Sequence, residues 1–185
     1  MARLGPLDPN AISGEQKEIY QAIAGRHPSG HVPLPMQLFL RSPQLADKAQ
    51  QLGQFIRWGT EDLRLVELAI CVTARYLNSD FEWAAHKPAA IENGMSEEIM
   101  DAIAQRKEPK FVKDDERLVY EFSKTLLETH KMPLDLYQRT LAATSERTIV
   151  EVIGALGFYL LIGFCLATFD VELGPNRKAE LSPYN

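Results

Sequence analysis

Glu82 and His86 stand four residues apart and Ser79 stands three before Glu82, so on a helix a carboxylate, an imidazole and a hydroxyl share one face. Imidazole titrates near neutrality, and a neighbouring carboxylate holds its tautomer or raises its pKa, which is the equipment of general acid–base catalysis. The same spacing admits a structural reading: Ser79-Asp80-Phe81-Glu82 matches a capping box, in which Ser79 caps the helix and Glu82 reaches back to the Ser79 N–H. His86 is then a satisfied core or surface histidine. A third acid lies upstream. At 100° per residue Arg64, Glu67, Cys71 and Arg75 fall within roughly an 80° arc, and apolar residues cover most of the rest. A helix so apolar is largely enclosed, so Glu67 either pairs with Arg64 at i,i+3 on a narrow solvated strip or lines a cavity.

Other chemistries lack support. Cys71 and Cys165 sit in apolar stretches without CxxC spacing, so both read as packing residues. The histidines at 27, 31, 86 and 130 are scattered and there is no HExxH, so no metal is expected, although Glu67, Glu82 and His86 together could take a cation. GxGxxG, GxxxxGKS/T and GxSxG are missing, and no organic cofactor is expected.

The elements that must position these residues read as all-α, because helical periodicity and caps dominate and alternating strands between Asn-Gly or Asp-Gly turns are absent. A short helix is expected from Glu15 to about Gly25, then a Pro-rich loop over Gly25 to Pro35, then a helical pair broken at Ser42-Pro43 and closing near Trp58-Gly59. Thr60 is the expected N-cap of a helix reaching Leu77. Asn78-Ser79 opens the next, bent by Pro88 and ended by Asn93-Gly94. Further helices start at Ser96, run from Asp114 to His130, restart at Met132-Pro133, and follow a cap at Ser145-Glu146.

With 185 residues, 45% of them hydrophobic and 24% charged, the chain suits one domain with an ordinary core. A net charge of −5 gives no footprint for nucleic acid or anionic lipid. The first sixteen residues lack an apolar h-region, so the expected address is the cytoplasm. Val152 to Phe169 runs 18 residues without a charge, the lower limit for a membrane span. Its glycines at 154, 157 and 163, flanking acids and lack of a Lys/Arg cluster favour a helix buried in the core or a subunit contact. No membrane partner is expected.

Glu67, then Glu82-Trp83-Ala84-Ala85-His86, Ala90 and Gly94 resemble the motif of the carboxymuconolactone decarboxylase and alkyl hydroperoxidase D-like superfamily, over roughly residues 63–103. The peroxidase branch carries Glu, then CxxC, then His four residues after the second Cys. Here Ser79 and Glu82 stand at the two cysteine positions, so no dithiol cycle is possible there. The Glu-Trp-x-x-His version is similar to the decarboxylase branch. That resemblance implies a single-domain helical bundle, assembled as a homo-oligomer, often a trimer or hexamer, without metal or organic cofactor. The corresponding division is an extension over 1–35, the family-like domain over 36–175 and a tail over 176–185. The implied function is a cofactor-independent lyase acting on a small carboxylated lactone or related ring-cleavage acid of aromatic catabolism. His86 is the expected proton donor, Glu82 its proton-exchanging partner and Glu67 a buried carboxylate controlling charge. Arg64 or Arg75, in Glu67's stripe, is the expected substrate grip, while Phe81 and Trp83 are expected to pack the core. The alternatives are a non-enzymatic oligomeric binding protein and, if Cys71 were a low-pKa thiol near a resolving partner, a thiol-dependent peroxidase.

Overall fold

A computed structural model describes residues 2–27, 29–174 and 177–183; Pro28 of the expected loop, Met1 of the expected extension, and residues 176, 184 and 185 of the expected tail lie outside them. The described residues form helices and no strands: α1 (Gly14–Arg26), α2 (Leu34–Phe39), α3 (Pro43–Trp58), α4 (Leu63–Tyr76), α5 (Asp80–Glu92), α6 (Glu97–Ala104), α7 (Asp114–Thr129), α8 (Leu134–Ala143) and α9 (Glu146–Thr168).

Three helices among the described residues, α4, α5 and α9, start on side-chain caps. Ser79 accepts from the Glu82 N–H and Ser145 from the Thr148 N–H, so α5 and α9 start on the hydroxyls expected to cap them. Thr60 does not cap α4. Its hydroxyl bonds back to the Ile56 carbonyl at the end of α3, and Asp62 caps α4 by accepting from the Leu65 N–H. The Pro-rich loop is also shorter than Gly25 to Pro35. α1 continues to Arg26, and α2 starts at Leu34 with Pro35 in its first turn, where a missing N–H costs nothing.

α4 is the axis of the bundle. Every residue from Leu65 to Arg75 is buried, and the helix packs against α5, α7 and α9. One core cluster joins Leu68 of α4 to Trp83, Met100 and Phe122; the other joins Val66 and Ile70 to Ile23, Leu40, Ile56 and Ile162. Burying each large side chain contributes on the order of 1.5–3 kcal/mol, so α4 is held from all sides. α9 is long and apolar enough to cross a membrane, yet 61% of its apolar window is buried in the protein. Gly163 lets it close on the end of α4, because a Cβ there would collide with the Leu77 side chain. The segment 177–183 docks on α5 and α6: Leu181 is buried, Asp80 accepts from the Glu180 and Leu181 N–H groups, and Ser182 N–H donates to Ala104.

Candidate active site

Glu67 faces α5 because it lies in the middle of the enclosed helix, where solvent is not available to it. Its Oε2 stands 2.7 Å from His86 Nδ1, and the two residues are 3% and 2% exposed. An ion pair or hydrogen bond this short and dry fixes the ring, with Nδ1–H donating to the carboxylate and Nε2 left for other work. Nε2 faces two groups: Glu82 Oε2 at 3.7 Å and Arg57 Nη2 at 3.5 Å. Tyr159, from α9, sets its ring edge-on to the imidazole at 4.7 Å, and its hydroxyl accepts from Arg57 Nε at 3.5 Å. Four helices thus contribute: α3 (Arg57), α4 (Glu67), α5 (Glu82, His86) and α9 (Tyr159).

The capping-box reading holds only by half. Ser79 does cap α5, but the Ser79 N–H donates to the Ala74 carbonyl at 2.8 Å, so the Glu82 carboxylate is not needed there and turns inward instead. Burial pushes the Glu82 carboxyl above its ordinary pKa, and the Glu67 charge adds to this; His86 and Arg57 pull the other way. Burial works against the Arg57 charge, but Tyr159, Glu67 and Glu82 more than offset it and the guanidinium stays charged.

A cavity of about 290 Å³ opens beside the cluster. Glu82, Arg57, Tyr159 and Ala85 reach its wall, and His86 stands one layer behind Glu82. Phe81 and Phe158 line it, and Trp58 sits at its edge, 56% exposed. Phe81 therefore faces the cavity rather than only packing the core. His27, His31 and Arg177 also line it, and Glu82 is the acid among the lining residues.

Arg64 and Arg75 do not join the site. Arg64 points away to Asp62, Asp115 and Glu116, because these acids at the starts of α4 and α7 offer it better partners than a carboxylate already bound to His86. Arg75 is eight residues beyond Glu67 and turns to the Ala104 carbonyl and Asn78. The expected Arg64–Glu67 pair is absent for the same reason. Arg64→Ala should therefore leave turnover unchanged while costing about 1–3 kcal/mol through the lost bond to the buried Glu116, which among the described residues keeps only its pair with Lys113; a kcat loss in that variant would contradict this placement. Cys71 is fully buried, and burial together with Glu67 and Glu82 pushes its thiol well above the ordinary value, so it is an inert packing residue. Cation binding by Glu67, Glu82 and His86 would meet the Arg57 guanidinium at Nε2, which repels a metal.

Sequence reasoning missed Arg57 and Tyr159. A signal existed for the first: Gln50, Gly53, Gln54 and Arg57 recur at i, i+3, i+4 and i+7, a polar stripe on α3 that lines the cavity. For the second the signal was only that a buried tyrosine needs a partner for its hydroxyl.

No protein-family model and no curated protein matches the sequence. Solved structures do. The chain is similar to a protein of unknown function from Agrobacterium tumefaciens, a candidate antioxidant defence protein AhpD, with 17% identity and a TM-score of 0.63 over 72% of this chain and 93% of that one. It is also similar to the debrominase Bmp8, with 12% identity and a TM-score of 0.69 over 92% of this chain and 91% of the apo enzyme. A Cys-to-Ala variant of Bmp8 in complex with 2,3,4-tribromopyrrole gives the same identity and score, over 90% of its length. At these identities the likeness is one of architecture, and the architecture this chain adopts is the AhpD-like fold.

Proposed function

We propose that the chain is a cofactor-independent, decarboxylase-like lyase that works in the cytoplasm on a small carboxylated lactone or related acid, with Glu82 and His86 delivering a proton to carbon. The observation that carries this reading is the meeting of Glu67, His86 and Glu82 in one buried cluster, of which Glu82 reaches the wall of a cavity of about 290 Å³. A volume at the lower end for ligand sites suits a small molecule. The guanidiniums of Arg57 and Arg177 on its wall favour an acid. The debrominase complex adds that this fold accommodates a small ring.

The Glu82 carboxyl and the His86 imidazole stand 3.7 Å apart and can trade a proton. Moving that proton between Glu82 and His86 changes no net charge in the buried site, which keeps the transfer inexpensive. Glu82, raised in pKa by burial and touching the cavity, donates; the proton it delivers is one it shares with His86 Nε2, which can accept it because Glu67 holds the Nδ1–H tautomer. A screen of small lactone and keto acids for CO₂ release, with His86→Gln as control, tests the reading. Equal release by the control removes it.

We propose further that the chain assembles as a homo-oligomer, a trimer or hexamer. Leu52 and Phe55 of α3 and Val150, Ile153, Leu161 and Phe164 of α9 are each at least 40% exposed and form an apolar face; Gly154 and Gly157 leave open space on α9. Val150→Asp with Phe164→Asp should lower the mass measured by light scattering to that of one chain. A parental chain already at 20.8 kDa in solution would end this proposal.

A further inference from the structure

We propose that Arg57 and Tyr159 form an oxyanion-holding pair, in which the Tyr159 hydroxyl and the Arg57 guanidinium take the negative charge that develops on a carbonyl oxygen next to the reacting carbon. This deepens the proton-transfer reading above and rests on it: the substrate class narrows to acids whose carboxylate is borne on the α-carbon of a ketone or lactone carbonyl.

Both residues reach the cavity wall beside Glu82, on helices other than the one that carries the acid. Arg57 Nε donates to the Tyr159 oxygen, so the phenol spends a lone pair there and keeps its own proton; among the described residues no acceptor receives it. Arg57 holds both of its side-chain partners loosely, at 3.5 Å to Tyr159 and 3.5 Å to His86 Nε2. Bonds this long are easily exchanged for a stronger acceptor such as an enolate oxygen. The donors are also set in place beforehand. Tyr159 is 3% exposed and wedged between the His86 ring at 4.7 Å and the Phe158 ring at 5.3 Å. Phe158 in turn needs Gly53, where a Cβ would come within 3.0 Å of its ring. Donors fixed before charge develops are the ones that stabilise a transition state. Burial, the largest influence, pushes the phenol far above its ordinary pKa, so it stays a neutral donor, while Arg57 stays a cation.

The step balances without any further reagent. The bond between the α-carbon and the carboxylate carbon breaks, CO₂ departs, and the electron pair passes into the carbonyl, whose oxygen becomes the anion held by Tyr159 O–H and Arg57. The Glu82 proton then bonds to the α-carbon as the carbonyl re-forms. Glu82 regains a proton from water entering the cavity that it lines.

A direct test uses 4-nitrophenol, a planar ring of suitable size whose anion absorbs visible light and whose neutral form does not. At about pH 6, where the free probe is mostly protonated, the parent protein should bind it as the anion, with its pKa lowered by about one unit or more. Tyr159→Phe and Arg57→Lys should each remove most of that visible band, and Tyr137→Phe, an exposed tyrosine on α8, should leave it intact. Circular dichroism confirms that the variants fold; if Tyr159→Phe does not, Arg57→Lys decides alone. On a confirmed substrate Tyr159→Phe should lower kcat by about a hundredfold with KM within about threefold. A probe that does not bind, that binds only as the phenol, or whose visible band survives in both variants overturns the pair. If the probe binds as the anion in a Tyr159-dependent way while no lactone or keto acid releases CO₂, the oxyanion site stands and the decarboxylase reading falls.

Discussion

Glu82→Gln is expected to lower kcat by about 10²–10⁴-fold and to leave the protein at least as stable as its parent at neutral pH. Glutamine keeps the volume and a hydrogen-bonding head but carries no transferable proton. The stability half of the result follows from burial, which together with the Glu67 charge raises the Glu82 pKa above its usual value near 4.5. A carboxyl whose folded pKa is raised binds protons more tightly in the native state. Its cost to stability is absent below the unfolded pKa, grows as pH rises from that value toward the folded one, and stays constant above. Removing the acid removes the cost. The gain in melting temperature of Glu82→Gln over the parent should therefore be largest at neutral pH and vanish below about pH 4, where the carboxyl is protonated in the folded and the unfolded chain alike. His86→Gln should lose activity to a similar degree. Parental rates in both variants would show that the cluster carries no chemistry.

Glu67→Ala should cost about 3–5 kcal/mol, a drop in melting temperature on the order of 10 °C. The reason is what stays behind: His86 keeps a buried Nδ1–H with no acceptor, Arg57 loses one of the charges that offset its burial, and a void opens in the bundle axis. Glu67→Gln separates the structural from the chemical role. Its amide oxygen can still accept from Nδ1–H, so the cost falls to about 1 kcal/mol. The same amide can rotate and donate to Nδ1, which stabilises the other tautomer and puts the proton on Nε2. Activity should then fall at least about tenfold with little loss of stability, because a triad-like carboxylate acts by fixing the tautomer. A Glu67→Ala protein melting within about 2 °C of the parent would mean that the 2.7 Å contact contributes nothing.

Much of the local structure was legible because it depends on neighbours in the chain. Ser79 and Ser145 cap as expected, Asn93-Gly94 closes α5 with Gly94 at a positive φ of 100°, and Pro88 lies inside that helix. Where the reading slipped, two local candidates competed. Thr60 and Asp62 both suit an N-cap, and packing decided: Thr60 was drawn to Ile56 at the end of α3, leaving Asp62 free to cap. The arginines show the same limit on a larger scale. Helical phase correctly puts Arg64 and Arg75 near the stripe of Glu67, but phase says nothing about the acids of α7 or the Ala104 carbonyl that capture them.

By itself the sequence determined the all-α character, the enclosure of α4 and the placing of Glu82 and His86 on one face, since caps and periodicity act over a few residues and need no partner. Only the tertiary structure decided that Glu67 meets His86 across helices, that Glu82 abandons its capping role for a cavity, and that Arg57 and Tyr159 complete the cluster. Those contacts span up to 102 positions along the chain. They form because burial leaves each polar group only the partners that packing brings to it.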